Sequence, residues 1–253
     1  MDEEHIMAIV SEKGPLRLSE LLALADPAEK ALVELRVLRM VKKGVLRVKR
    51  IGRDILLIAG TPSEQAGVTQ FMSTEVAMVA TLPLGAASRR AGLPNHIDML
   101  EALTMLIAGA TRELRISSPF ADPETVILLY PSFRKAAGSG VAIKFLTRSA
   151  TNRQLLAALR NIKDIYVKLG MPDKFSVRCY EENVAGLLVE AVHAKVIISD
   201  YDMAYVGSGE LRKHSLTANV EIGMLVRGAV VKELVGLFDA VWERARNIRL
   251  TNF

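Results

Sequence analysis

Apolar positions recur along this chain with two different periods, and each change of period predicts a change of element. Residues 4–12 follow the helical spacing until GPLR interrupts it. Ser19 is placed to cap a short helix, ELLALA, which stops at Asp26-Pro27. Between residues 27 and 43, Leu32, Leu35, Leu38 and Val41 fall on roughly one face of a third helix, ended by Gly44. Alternation then takes over. VLRVKR and DILLIA, joined around Ile51-Gly52-Arg53, have the period of two and predict a hairpin. Residues 61–95, punctuated by Pro and Gly, read as a connector with one helix inside. From His96 the chain predicts a helix (97–111), the strand ELRISSPF, a helix (122–138), the strand VAIKFLTRS, a helix (151–169) and the strand FSVRCYE. Such alternation argues for an α/β layered sheet with a mostly buried centre. A last helix, 230–246, lines up Val231, Leu234, Val235, Phe238, Val241 and Trp242 as core. The expected organisation is a small domain over 1–60, the connector over 61–95 and the α/β domain over 96–253.

Charge sharpens the picture of the first sixty residues. Arg36, Arg39, Lys42, Lys43, Arg47, Lys49, Arg50 and Arg53 crowd into eighteen positions with no acid among them. Three helices followed by a hairpin is the order of a winged helix-turn-helix. In that order the basic residues line the third helix and the wing, where DNA phosphates would run. The front of the third helix, PAEK, is poor in base-reading side chains, so sequence specificity is not expected. Small modules of this kind also dock proteins, and a basic run also serves simply as a solvated face. The net charge of +5 and the isoelectric point of 9.3 permit a polyanionic partner without demanding one.

Composition excludes several classes. Half of the 253 residues are apolar, enough for a real core. A single cysteine, Cys179, rules out an internal disulfide framework and a cysteine zinc cluster. The four histidines have no metal-binding spacing, and no cofactor is expected. The longest apolar stretches, 68–87 and 97–110, are broken by Glu75 and Pro83 and by Asp98 and Glu101, so neither predicts a membrane span. The start, MDEEHIM, lacks the pattern of a secretory signal, and a cytoplasmic location is expected.

One stretch carries chemistry: VHAKVIISDYDMAYVGSGE, residues 192–210. In an extended strand His193 and Lys195 share a face, with Val196 and Ile198 on the other. SDYDM predicts a reversal, after which MAYVGS returns and brings Gly207 and Ser208 back beside them. Glycine there admits close backbone approach. Further on, NVEIGMLV predicts a strand with Asn219 and Glu221 on a common face. A neutral imidazole can attack phosphorus, an ammonium neutralises phosphate oxygens, hydroxyl and amide groups complete the cradle, and a carboxylate fixes the imidazole tautomer. The parts suit a phosphodiester.

The spacing His-x-Lys-x4-Asp-x6-Gly-Ser resembles the HKD signature of the phospholipase D superfamily, and NVE resembles that family's later Asn-x-Glu. The resemblance implies that His193 is the nucleophile and forms a phosphohistidine. It implies that Lys195 and Ser208 bind phosphate, that Glu221 orients a histidine, that Asn219 belongs to the same site and that Asp200 supports the motif structurally. It also implies chemistry without a metal. The mechanism needs two imidazoles, one to attack and one to protonate the leaving oxygen, yet the chain has one such motif. A homodimer with a composite centre is therefore expected through the phospholipase D-like domain, with His96 and His214 as alternative second acids. One position departs from the pattern: where the family often has Asn after Gly-Ser-x, this chain has Glu210, which repels phosphate unless paired or protonated. Arg148, at the end of a strand, is a candidate for gripping substrate. The expected function is a metal-independent phosphodiesterase acting on DNA or RNA, without a membrane partner. The alternative is a DNA-binding regulator like some archaeal transcription factors that resemble the TrmB family, in which a phospholipase D-like domain binds ligand without catalysis.

Overall fold

A computed structural model describes residues 1–42, 45–51, 54–60, 74–82, 95–184 and 187–250. Two units divide the chain, Met1–Phe71 and Met72–Phe253.

In the first unit, α1 (Glu3–Lys13) starts where the Asp2 carboxylate accepts from the His5 amide at 2.9 Å. Strand β1 (Leu16–Arg17), α2 (Leu18–Ala23) and α3 (Lys30–Lys42) lead into β2 (Leu46–Ile51) and β3 (Asp54–Ala59), in a sheet ordered β1-β3-β2. The hairpin has the expected antiparallel register, Leu46 facing Ala59. Ser19 does not cap α2. Its hydroxyl donates to the Asp54 carboxylate, while the Glu20 carboxylate accepts the Arg17 amide. The buried face of α3 is Val33, Val37 and Met40, and Leu32 is exposed. A run spaced by threes drifts about 60° per step on a helix of 3.6 residues per turn, so Leu32 and Val41 cannot share a face. The side chains of Leu35 and Leu38 lie outside the described residues.

Among the described residues the second unit is built on a nine-stranded mixed sheet. It comprises β4 (Thr74–Thr81), β5 (Ile97–Asp98), β6 (Glu113–Ser117), β7 (Ala142–Thr147), β8 (Phe175–Cys179), β11 (Val196–Ser199), β12 (Met203–Gly207), β13 (Glu221–Gly228) and β14 (Arg246–Asn247), in the order β14-β8-β7-β6-β11-β12-β13-β4-β5. Strands β6, β7 and β8 run parallel, β6, β11, β12, β13 and β4 pair antiparallel in succession, and β4 pairs parallel with β5. Between β8 and β11 in sequence, β9 (Glu181–Val184) and β10 (Leu187–Ala191) form a separate two-stranded hairpin. Strand β4 corrects the expected connector. Its residues pair with the whole of β13, Thr81 facing Glu221 and Thr74 facing Gly228. The rest of the expected connector lies largely outside the described residues.

Helices α4 (Met99–Gly109), α5 (Pro123–Leu128), α6 (Tyr130–Gly138) and α7 (Arg153–Lys168) belong to one face, where Leu103, Leu106, Phe133, Leu155 and Ile162 bury against Leu114, Ile116, Phe145, Ile197 and Tyr205. Residues 122–138 are two helices rather than the one expected, because Pro131 has no amide hydrogen to continue the ladder and restricts Tyr130 before it. After the short α8 (Lys213–Thr217), α9 (Ala229–Arg244) packs on the other face. Val231, Val235, Phe238 and Trp242 meet Leu146, Ile198 and Ala204 there, each large side chain contributing on the order of 1.5–3 kcal/mol. Buried Arg115 ties α9 down through a two-pronged pair with Asp239, at 3.0 and 3.1 Å. On that same face Val206, Met224 and Met78 stand side by side in register and exposed, flanked by exposed Ile222 and Val76.

Pairing decides where the chemistry falls. Val196 faces both Ser117 and Val206, and Gly207 faces Gly223. One end of the sheet therefore gathers the exits of β6, β7 and β12 and the entries of β11 and β13.

Candidate active site

His193 and Lys195 lie at that end, in an irregular lead-in just before β11 rather than inside a strand. They still form the expected pair, Lys195 Nζ lying 3.4 Å from His193 Nε2. With the ammonium as donor, Nε2 accepts and the ring proton sits on Nδ1. Lys195 also donates to the His193 carbonyl at 3.3 Å, which folds the two side chains together. The buried Ser117 hydroxyl donates to the Ala194 carbonyl at 2.9 Å, and the Gly207 amide donates to the Lys195 carbonyl at 3.3 Å. These two bonds hold the lead-in against strands on both sides. The His193 ring itself is exposed.

Ser208 and Glu221 meet across β12 and β13. The Ser208 hydroxyl donates to Glu221 Oε2 at 2.5 Å and accepts the Ile222 amide at 3.1 Å. Asn219 Nδ2 donates to Glu221 Oε1 at 3.3 Å. Buried Glu221 thus holds Ser208 and Asn219 in place, where the sequence points to it as the orienter of a histidine.

Gly207 has a steric reason. Its neighbour Tyr205 is fully buried, and a Cβ at position 207 would lie 2.4 Å from the Tyr205 hydroxyl and 2.6 Å from Gly223 Cα. A Cβ at Gly223 would likewise lie 2.4 Å from the Tyr205 ring. The phenol is wedged between glycine backbones and accepts the Gly209 amide at 3.0 Å. Burial pushes its hydroxyl up to about 12, the Gly209 amide opposing, so it stays protonated. Replacing Gly207 with alanine is expected to destabilise the second unit by about 3 kcal/mol, read as a lower midpoint in urea. An unchanged midpoint would mean that the wedge has room.

Asp200 stands at the far end of β11, four strand residues of about 3.3 Å each from the lead-in. It has φ of 55°, and its carboxylate accepts from Thr111 N and Oγ1, Arg112 N and Glu113 N at 2.8–2.9 Å. Burial would raise this carboxyl, but the bonds from residues 111–113 outweigh it and hold it below the usual carboxylate range. Asp200 anchors the turn after the motif to the start of β6 and does not touch the His193 end.

Phe120, Arg148, Arg212 and Glu210 also follow strand ends at this edge of the sheet. Phe120, in the loop after β6, has the Arg148 guanidinium 5.5 Å and the Arg212 guanidinium 5.8 Å from its ring centroid. Nothing in the sequence links Phe120 to residues 148 and 212; the signal available was that all three follow strand ends that meet at one edge of the sheet. Glu210 is half-buried in the turn that follows Ser208. Burial raises its carboxyl, while Lys195, Arg212 and His193 oppose that shift and Glu221 adds to it. His214 is exposed on α8, and His96 is half-buried ahead of β5.

Among the proposed DNA contacts, Arg47 and Lys49 are exposed on β2. Arg36 is half-buried and donates to the Met1 carbonyl, so it is engaged within its own unit. Lys43 and Arg53, and the side chains of Arg39, Lys42 and Arg50, lie outside the described residues. Among the described residues no three His, Cys, Asp or Glu side chains gather as a metal site would require, and no helix is long and apolar enough to cross a membrane.

Residues 103–242, more than half of the chain, match the family described as cardiolipin synthase, PLD-like domain. No curated protein is significantly similar. Among solved structures, Nuc from Salmonella typhimurium, a phospholipase D family member, superposes with a TM-score of 0.50 at 19% identity, over 70% of this chain and 99% of its own. NucT from Helicobacter pylori superposes with a TM-score of 0.51 at 14% identity, over 70% of this chain and 100% of its own. At these identities the likeness is one of fold.

Proposed function

The chain belongs to the PLD-like domain family, and from that premise we propose that it is a metal-independent phosphodiesterase acting on nucleic acid through His193, in a homodimer whose copies each supply one imidazole. The observation that carries this is the convergence of His193, Lys195, Ser208, Asn219 and Glu221 at one end of the sheet. In the first step a nitrogen of His193 forms a bond to phosphorus as the bond to the leaving oxygen breaks, and the partner copy's imidazole gives that oxygen its proton. Lys195 and Ser208 hold the non-bridging oxygens as charge moves onto them. In the second step the same partner imidazole takes a proton from water, whose oxygen displaces His193 from phosphorus.

A twofold partner suits the exposed apolar strip of Val76, Met78, Val206, Ile222 and Met224, on strands that lead to the site. A strip of this kind on a sheet face marks a contact surface, and an isologous pairing would satisfy both copies with the same residues.

We read the first unit as a winged helix-turn-helix whose exposed Arg47 and Lys49 contact DNA phosphates; its helices followed by a hairpin support that reading. Replacing both with alanine is expected to weaken DNA binding across sequences alike and to lower the slope of log affinity against log salt by about 2. Fluorescence anisotropy at several salt concentrations measures this, and an unchanged slope would remove these residues from the interface.

Incubation of the purified protein with single-stranded DNA, duplex DNA and RNA in excess EDTA tests the activity. EDTA-resistant cleavage is expected. The second reading, a DNA-binding regulator, is favoured by Glu210 in the place of a phosphate-binding amide. It would be supported by absent cleavage together with DNA binding that a small ligand releases.

A further inference from the structure

The mechanism leaves one carboxyl at the site unused. The backbone at Glu210 is pinned on both sides. The Gly209 amide donates to the Tyr205 hydroxyl at 3.0 Å, and the Leu211 amide donates to Ser118 Oγ at 3.3 Å. The Glu210 carbonyl accepts the Arg212 amide at 2.7 Å, and the Leu211 carbonyl accepts the Asp122 amide at 2.9 Å. From this fixed turn the side chain reaches inward, and Oε2 is sealed from solvent with no hydrogen-bond partner among the described residues. An ionised oxygen in such a place lacks the donors that would offset its desolvation.

The charged groups acting on it come from every side. Lys195 and His193 act from the lead-in to β11, Arg212 from its own turn and Glu221 from the head of β13. Lys195 and Arg212 bring two positive charges. Glu221 already accepts from Ser208 and Asn219. Ionised Glu210 and Glu221 together already match the two cations, so every negative charge a ligand brings is in excess. A phosphodiester brings one and a terminal phosphate two, where water screens poorly.

We propose that Glu210 is the specificity-determining residue of this site, admitting a phosphodiester to the Lys195–Ser208 cradle and turning away a terminal phosphate monoester or inorganic phosphate. The assignment rests on the phosphate-cradle role given above to Lys195 and Ser208. It differs from a purely structural role because it predicts a dependence on ligand charge. Burial raises the Glu210 carboxyl, so protonation on acidification removes its charge early and the exclusion relaxes as pH falls.

Calorimetric titration of the full chain with inorganic phosphate, and with dimethyl phosphate as the singly charged probe, tests the proposal without needing turnover. At pH 8, Glu210→Gln is expected to bind inorganic phosphate about tenfold more tightly than the natural chain, from the loss of one nearby repulsion in a partly screened site. Dimethyl phosphate is expected to gain much less, and the inorganic phosphate gap is expected to close towards pH 5, where Glu210 takes up a proton and the probe itself becomes singly charged. Glu210→Asn, a shorter amide, should reproduce the effect if the longer one perturbs the turn, and Lys195→Ala in either background should weaken binding. The role is overturned if the amide variants bind phosphate no more tightly, if both probes gain equally, if the gap persists unchanged at pH 5, if Lys195→Ala leaves binding intact, or if no form binds phosphate. Lack of nucleic-acid cleavage by the natural chain would instead refute the catalytic reading, while these titrations would still decide what Glu210 does.

Discussion

Replacing His193 with alanine is expected to lower phosphodiester cleavage by roughly a thousandfold or more, about 4 kcal/mol of transition-state stabilisation, while the melting temperature stays where it was. His193 is exposed and its ring lies against the Lys195 ammonium, so its removal leaves no buried cavity. The loss of activity is compounded by symmetry. One substitution deletes the nucleophile in one copy and the proton donor in the other, and general acid catalysis alone is commonly a factor of about 10²–10⁴. Residual activity would come from Lys195 and Ser208, which still stabilise charge on phosphate. Chain mixing adds a quantitative signature. If variant chains make up a fraction f of freely exchanging dimers, activity should fall as the square of (1 − f), since a mixed dimer has a single ring. A linear fall would place both catalytic groups within one chain.

The second large effect is on stability. Asp200→Ala is expected to destabilise the second unit by about 3 kcal/mol, since hydrogen bonds to a charged group are each worth about 1.5–3 kcal/mol and water replaces part of what is lost at a half-exposed site. The melting temperature should drop by about 6–12 °C. Asp200→Asn separates two contributions, because asparagine tolerates the positive φ but carries no charge. The pH dependence follows from the direction of the shift. A carboxyl held below its usual value stabilises the fold above the unfolded value, near 3.9, and that stability is lost as pH falls through the lower folded value. The gap in stability between the natural chain and Asp200→Asn should therefore narrow on acidification below about pH 4. A gap that stays constant to low pH would show that the charge is not what matters.

The motif was legible because its spacing encodes contacts that form locally. Asp200 stops the strand and turns the chain, so β12 must return beside β11, and Gly207-Ser208 must arrive opposite Lys195. Family resemblance at those positions and the pairing of β11 with β12 agree because both follow from one hairpin. The α9 stripe was legible for a similar reason, as its spacing of threes and fours holds one face. The α3 stripe failed because a spacing of threes alone drifts around the helix. The break at Leu129 had a visible marker in Pro131, which the longer apolar pattern of 122–138 masked.

Other features depended on partners distant in sequence. TEVAMVAT, residues 74–81, alternates too weakly to announce a strand, and β4 exists because β13 offers it a full edge to pair with. The β9–β10 hairpin follows β8 and precedes β11 in sequence and, among the described residues, pairs with itself alone. At the site, the ion–ring cluster of Phe120, Arg148 and Arg212 joins three loops separated by up to ninety-two residues, and no local pattern foreshadows it. Glu221 was visible as a site carboxylate, but its bonds to Ser208 and Asn219 come from the register of β12 against β13.

The covalent role of His193 can be read directly. A single turnover of a phosphodiester in EDTA, quenched in alkali and digested for mass spectrometry, should reveal on His193 a phosphorus adduct that still carries the substrate's remaining ester group and is lost in acid. Substrate consumed under the same conditions with His193 unmodified at every quench time, and cleavage undiminished in His193→Ala, would contradict the assignment of that imidazole as the nucleophile.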